Sequence, residues 1–213
     1  MASNVNVINN AGNSVEVKVN KVGDAIQITI DVPQNGTELS LLKPGDVFEK
    51  NNVEYIVCEQ FEAGTTAVVR KDCLDKVMEF GNNNNWKESK WREYLNGEYL
   101  KEMKTVFGVE NIVEHEVNLT SLDGYDDYGV SVDKVSVMNI DRYRKYHKHI
   151  GDTSEYHYLS TPDSTPSGTG SSGVRCVYSS GDVGWRECDW DGGVRPFFVL
   201  KSSIFVSFDK SRS

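Results

Sequence analysis

The chain has 213 residues, 38% of them hydrophobic and 26% charged, which supplies a packed core and excludes a disordered chain. A formal net charge of −9 repels phosphate backbones, so nucleic acid is not an expected partner. No apolar run approaches the roughly 20 residues of a membrane span, and the start MASNVNVINN lacks the basic and apolar regions of a signal peptide, so no membrane insertion is expected.

Residues 1–36 contain three alternating runs, VNVIN, VEVKVN and AIQITIDV, separated by Asn- and Gly-containing turns. Alternation at period two predicts half-buried strands. Three short strands bury too little to fold alone, so this segment is expected to dock on the main domain, on a copy of itself or on another protein. The break PQNG at 33–36 separates it from a main domain over 37–213. There, 47–49 and 53–59 read as a hairpin across Asn51-Asn52, followed by a strand at 66–70. Asn82 to Asn85 precede Trp86, Trp91, Leu95, Leu100, Met103 and Phe107, whose spacing predicts two short helices or one kinked helix over 87–107, interrupted at Asn96-Gly97. Both tryptophans are expected in the core.

Short strands are predicted at 113–117 and 135–138, around an Asp- and Gly-rich loop at 119–130. A helix starting at Asn139 or Asp141 runs through His149, with Ile140, Tyr143, Tyr146 and Ile150 as its packing side and the basic run RYRKYHKH as its solvated face. Beyond it the chain returns to strands at 158–159, 174–178, 183–187, 194–200 and 204–207, with a polar loop at 162–173 containing SGTGSSG that reads as mobile. The order β, then two helical segments, then β-rich predicts an α+β domain whose first and last strands pair.

Catalytic chemistry finds little footing. There is no G-x-S-x-G elbow, Walker A run or dinucleotide glycine pattern, and the four histidines complete no set with a nucleophile, so no enzymatic activity and no cofactor are expected. Cys58, Cys73, Cys176 and Cys188 form no CxxC pair; Cys176 and Cys188 flank a predicted hairpin, where free thiols are favoured over a disulfide. Asp123, Asp126, Asp127 and Asp133 do not fit an EF-hand, and a solvated turn is favoured over a calcium site; no metal ligands are assigned. Arg175 and Arg195 are expected to be buried and paired with carboxylates such as Asp163 or Asp182.

The concentrated signal lies in the loops between the last strands. Trp185, Arg186, Glu187, Asp189 and Trp190 fall within six positions among glycines and charges, with Tyr156, His157 and Tyr178 expected nearby. Exposed Trp, Tyr and Arg bury much area for little lost entropy, so Tyr178, Trp185, Arg186, Glu187, Asp189 and Trp190 are the candidate ligand-binding residues, the alternative being that Trp185 and Trp190 are core or loop-anchoring side chains.

KPGDVFEKNNVEYIVCEQ at 43–60, WKESKWREYLNGEYL at 86–100, VNLTSLDGYDDYG at 117–129, DKVSVMNIDRYRKY at 133–146, YLSTPDSTP at 158–166, VRCVYSSGDV at 174–183 and GGVRPFFVL at 192–200 together resemble an uncharacterised domain family of Gram-positive gut bacteria and their prophages. The resemblance covers about residues 40–207 and implies a variant of the C-type-lectin-like fold, with two helices, paired terminal strands and a long ligand-presenting loop region. It supplies no catalytic residues, and the Glu-Pro-Asn or Gln-Pro-Asp and Trp-Asn-Asp tripeptides of calcium-dependent lectins are missing; Asp189-Trp190-Asp191 is the nearest fragment. The expectation is a non-enzymatic module on a phage or phage-like particle, assembled in the host cytoplasm. Residues 1–36 would contact other virion proteins or form a homo-oligomer, and the C-terminal loops would face a bacterial surface glycan or protein. The alternative is a capsid decoration or tail accessory protein without a host ligand.

Overall fold

The computed structural model describes residues 16–22, 25–31 and 36–209. The chain forms two compact units, residues 1–36 and 37–213. In the first, β1 (Glu16–Val22) and β2 (Ala25–Asp31) pair antiparallel, with Val17 opposite Ile30 and Val19 opposite Ile28. That register aligns the apolar positions of the two strands, as period-two alternation requires. The predicted strand VNVIN lies outside the described residues.

The second unit begins with β3 (Thr37–Glu38), β4 (Val47–Lys50), β5 (Val53–Phe61), β6 (Thr65–Arg70) and β7 (Met78–Glu79). A 3₁₀ turn at Trp86–Glu88 leads into α1 (Lys90–Tyr94), a π-helical turn at Leu95–Tyr99 and α2 (Leu100–Phe107). Next come β8 (Ile112–Val113), β9 (His115–Asn118), β10 (Val130–Asp133), β11 (Val135–Ser136) and α3 (Ile140–Ile150). The unit closes with β12 (His157–Pro162), β13 (Gly173–Val177), β14 (Val183–Glu187), β15 (Asp191–Gly192), β16 (Phe197–Lys201) and β17 (Phe205–Phe208). The architecture is mixed α+β, rich in antiparallel strands.

The main sheet runs β11-β16-β6-β5-β4-β17-β3, with β8 also on β16. Its apolar runs are nearly continuous because both faces are covered. Tyr55, Val57, Val68, Phe198 and Leu200 join the core of the α1–α2 side, with Trp86, Trp91, Leu95 and Met103. Ile56, Cys58, Ala67, Val69, Phe197 and Val199 pack instead with Ile140, Tyr143, Tyr146 and Ile150 of α3. The expected pairing of terminal strands is present: Phe205 and Val206 lie opposite Glu38 and Thr37, and Ser207 opposite Glu49. The Asn51-Asn52 hairpin forms as read, with both residues at positive φ, 56° and 62°.

The helical stretch takes the single-helix form of the reading, its α geometry interrupted at Asn96-Gly97. Asn96-Gly97 sits inside one continuous helix, in its π turn, because the Asn96 side chain substitutes for a strand neighbour. Its amide donates to the Val135 carbonyl (2.8 Å) and its oxygen accepts from the Lys134 and Val135 N–H groups (3.1 and 3.2 Å). A widened turn that aims a side chain this way is a known use of π geometry. The 113–117 strand is split at Glu114 into β8 and β9, and the 158–159 strand extends to six residues, all buried, including Ser160 and Thr161. The 194–200 strand begins only at Phe197.

Arg195 also departs from expectation. It is 3% exposed, yet its guanidinium meets carbonyls rather than a carboxylate: Nε donates to Arg70 (2.9 Å), and the terminal nitrogens to Gly151 (2.9 Å), Lys71 (2.7 Å) and Ile150 (2.7 Å). It ties the C-terminus of α3 to the end of β6. Arg175 does pair with Asp163, at 2.8 Å.

Candidate ligand-binding site

Strands β12, β13 and β14 form a separate three-stranded antiparallel sheet. Period-two alternation decides what each face carries. On one face Tyr178, just past β13, lies against Gly184 of β14, where an added Cβ would come within 2.3 Å of the ring. Arg186, two positions on, donates to the Tyr178 hydroxyl at 2.7 Å. Its guanidinium carbon stands 4.7 Å from the Tyr178 ring centroid and 5.6 Å from those of Tyr156 and Trp190. Three rings thus surround one cation, each contact contributing about 0.5–1 kcal/mol at a partly exposed site. Arg186 makes no ion pair with a carboxylate among the described residues.

The turn carrying Trp190 is fixed from below. The hydroxyl of fully buried Tyr158 lies 3.1 Å from the Glu187 carbonyl and 2.8 Å from that of Trp190. The Cys188 N–H donates to Ser172 at 2.7 Å. Tyr156 bonds the Asp191 carbonyl through its hydroxyl and meets Tyr158 edge-on. Trp190, 54% exposed, is therefore a large apolar group held outward by buried contacts.

The six predicted residues do not form one cluster. Tyr178, Arg186 and Trp190 come together, joined by Tyr156. Trp185, 47% exposed, points to the opposite face: it lies opposite Arg175 in the strand register and over Gly173, beside the Arg175–Asp163 pair. Glu187, half-buried, and Asp189, exposed, flank the turn. His157 is turned inward, 4% exposed, with its Nδ1 3.1 Å from the Thr153 hydroxyl. Burial first, and the Arg195 charge second, push its pKa down to about 3. Tyr156 was the less legible member, because it precedes β12 by one residue and carries no motif.

The other polar candidates serve the fold. Asp133 is 3% exposed and accepts from Trp86 Nε1 (2.8 Å), Arg92 Nε (2.7 Å) and Ser131 (3.0 Å), so it leaves the acidic loop altogether. Asp123 accepts from Ser121 and Ser164, and Asp127 from the Ser167 N–H; these bonds hold both carboxyls below their usual range. Among the described residues no three His, Cys, Asp or Glu side chains are grouped to hold a metal.

Asn85 caps the 3₁₀ turn as expected, while buried Asn84 pins the SGTGSSG loop, donating to the Ser164 and Gly173 carbonyls (2.9 and 2.8 Å). The basic run on α3 is only partly solvated. Arg142 lies over the Phe197 ring and donates to the Glu116 carbonyl, and Lys145 pairs with Glu59. All four cysteines are free; burial pushes the Cys176 and Cys188 thiols up, leaving them poor nucleophiles. Among the described residues, no helix is long and apolar enough to cross a membrane.

No family model, no curated protein and no solved structure matches the chain.

Proposed function

We propose that the chain is a non-enzymatic binding module, a variant of the C-type-lectin-like fold, displayed on a phage or phage-like particle through residues 1–36 and recognising a bacterial surface glycan. The fold part of this reading is supported by the paired ends of the second unit, its two helical segments and the long loop-rich region between α3 and β16. The particle context rests on the sequence resemblance.

One observation carries the binding reading: Trp190 is presented to solvent while Arg186 is held among Tyr156, Tyr178 and Trp190 by the chain's own contacts. Pre-organised aromatic and guanidinium groups lose little freedom on contact, which is what makes such residues interaction hot spots. An aromatic face also stacks on the carbon face of a sugar ring. The test is saturable binding of the labelled full chain to candidate host cells, competed by soluble cell-wall glycan. Absence of saturable binding to every host surface would favour a structural virion component over an adhesive one.

A further inference from the structure

Beside the Arg186 cluster opens a cleft of about 390 Å³, within the size range of small-ligand sites and lined mostly by carbon. Tyr156, Tyr178, Gly192 and Val77, the last 54% exposed, line it. A Cβ on Gly192 would come within 2.5 Å of Tyr158 and 2.8 Å of Tyr156, so glycine there lets the Tyr156 ring keep its place.

The charge around this cleft is one-sided. Glu155 and Asp191 line it with exposed side chains, and neither forms an ion pair among the described residues. Glu187, at the end of β14, and Asp189 lie within four residues of Asp191. Among the described residues no Lys or Arg lines the cleft, and Arg186 beside it is already engaged by three rings and the Tyr178 oxygen. Tyrosine rings bordered by unneutralised carboxylates favour a cation that also carries apolar surface, since the ring quadrupole and the carboxylates attract it together. An acidic sugar meets repulsion here, and an N-acetylated sugar forfeits the charge.

We infer that this cleft is a subsite for an amino sugar bearing a free ammonium, its carbon face on the tyrosine rings and its ammonium paired with the Glu155 and Asp191 carboxylates. The inference rests on the glycan-binding reading above and adds the charge class of the sugar.

The test is calorimetric titration of the full chain with tetramers of glucosamine, N-acetylglucosamine and galacturonic acid. The glucosamine tetramer is expected to bind at least tenfold more tightly than its N-acetylated counterpart, and the galacturonate tetramer not at all. Glu155→Gln with Asp191→Asn removes that preference. Glu62→Gln with Glu114→Gln, equal in charge change but on exposed residues away from the cleft lining, leaves it intact. All four side chains are exposed, so the variants keep the fold, which thermal melting verifies. Equal or tighter binding of the N-acetylated or acidic tetramer overturns the inference, as does a preference that survives the double substitution. Cell binding that depends on Trp190, without any response to glucosamine, overturns this inference alone; loss of both overturns the glycan reading as well.

Discussion

Replacing Arg195 by Met keeps most of the aliphatic volume and removes the guanidinium. Four donor contacts vanish, to the carbonyls of Arg70, Lys71, Ile150 and Gly151, in a site 3% exposed to solvent. Two of those carbonyls belong to the C-terminal end of α3, where the helix leaves acceptors unsatisfied and favours a cation. A stranded buried acceptor costs about 1–3 kcal/mol, which applies in full to the Ile150 carbonyl and in part to the part-buried other three. Part of that is offset because the desolvation penalty of the guanidinium disappears too. The net expectation is a loss of about 3–5 kcal/mol, comparable to breaking a buried charged contact. For a unit of this size that lowers Tm by about 10 °C. Urea unfolding, followed by fluorescence of the buried Trp86 and Trp91, measures it directly. Arg195→Lys keeps the charge but cannot span four carbonyls, and should still lose about 2 kcal/mol or more. A Met variant within 1 kcal/mol of the parent, with an unchanged denaturant slope, would refute the role given to this residue.

Three further outcomes follow from the same geometry. His157 is held neutral with a folded pKa of about 3, against an ordinary value near 6.5, so below pH 6.5 the unfolded chain takes up a proton that the folded chain refuses. Stability is therefore full above pH 7 and falls from pH 6.5 toward 3, by about 2 kcal/mol at pH 5 from this residue; His115, whose pKa burial also pushes down to about 3, adds a similar loss, so urea unfolding at pH 7.5 and 5 should show both, and His157→Asn should remove about half of the slope. Asp133→Asn weakens the bonds from Arg92 and Trp86 and leaves a poorly compensated guanidinium, costing about 2–4 kcal/mol by thermal or urea unfolding. Asn52→Val forces a β-branched residue to φ 62° and should cost about 1–2 kcal/mol, with Asn52→Gly tolerated; equal stability of the two variants would refute the turn assignment.

The parts of the fold that could be read in advance are those where one local signal dominates. Asn51-Asn52 between apolar runs dictates a tight hairpin, and Asn139 ahead of Ile140, Tyr143 and Tyr146 dictates a capped amphipathic helix, with Asn139 accepting from the Arg142 N–H at 2.9 Å. The parts that could not are those where a polar side chain reaches across the fold. Nothing local shows that Asn96 will pair with the 134–135 backbone and keep a helix running through Asn-Gly. Nothing shows that Arg195 will satisfy carbonyls 44 and more residues away instead of a carboxylate. Strand β12 escaped full recognition because both its faces are buried, so HYLSTP does not alternate. In the candidate site, the density of Trp, Arg and Glu marks the turn that follows β14. The face each residue takes depended on strand register, which sends Arg186 into the ring cluster and Trp185 to the other side.

The most direct test of the central claim compares Trp190→Ala with Trp185→Ala for binding of the full chain to host cells. Both residues are exposed, 54% and 47%, so neither substitution disturbs the core. If the Tyr156–Tyr178–Arg186–Trp190 cluster is the contact surface, Trp190→Ala weakens binding about 30-fold or more, as loss of a hot spot does, and Trp185→Ala changes it by no more than about threefold. Binding that survives Trp190→Ala, or fails equally in both variants, would contradict the assignment of function to this face.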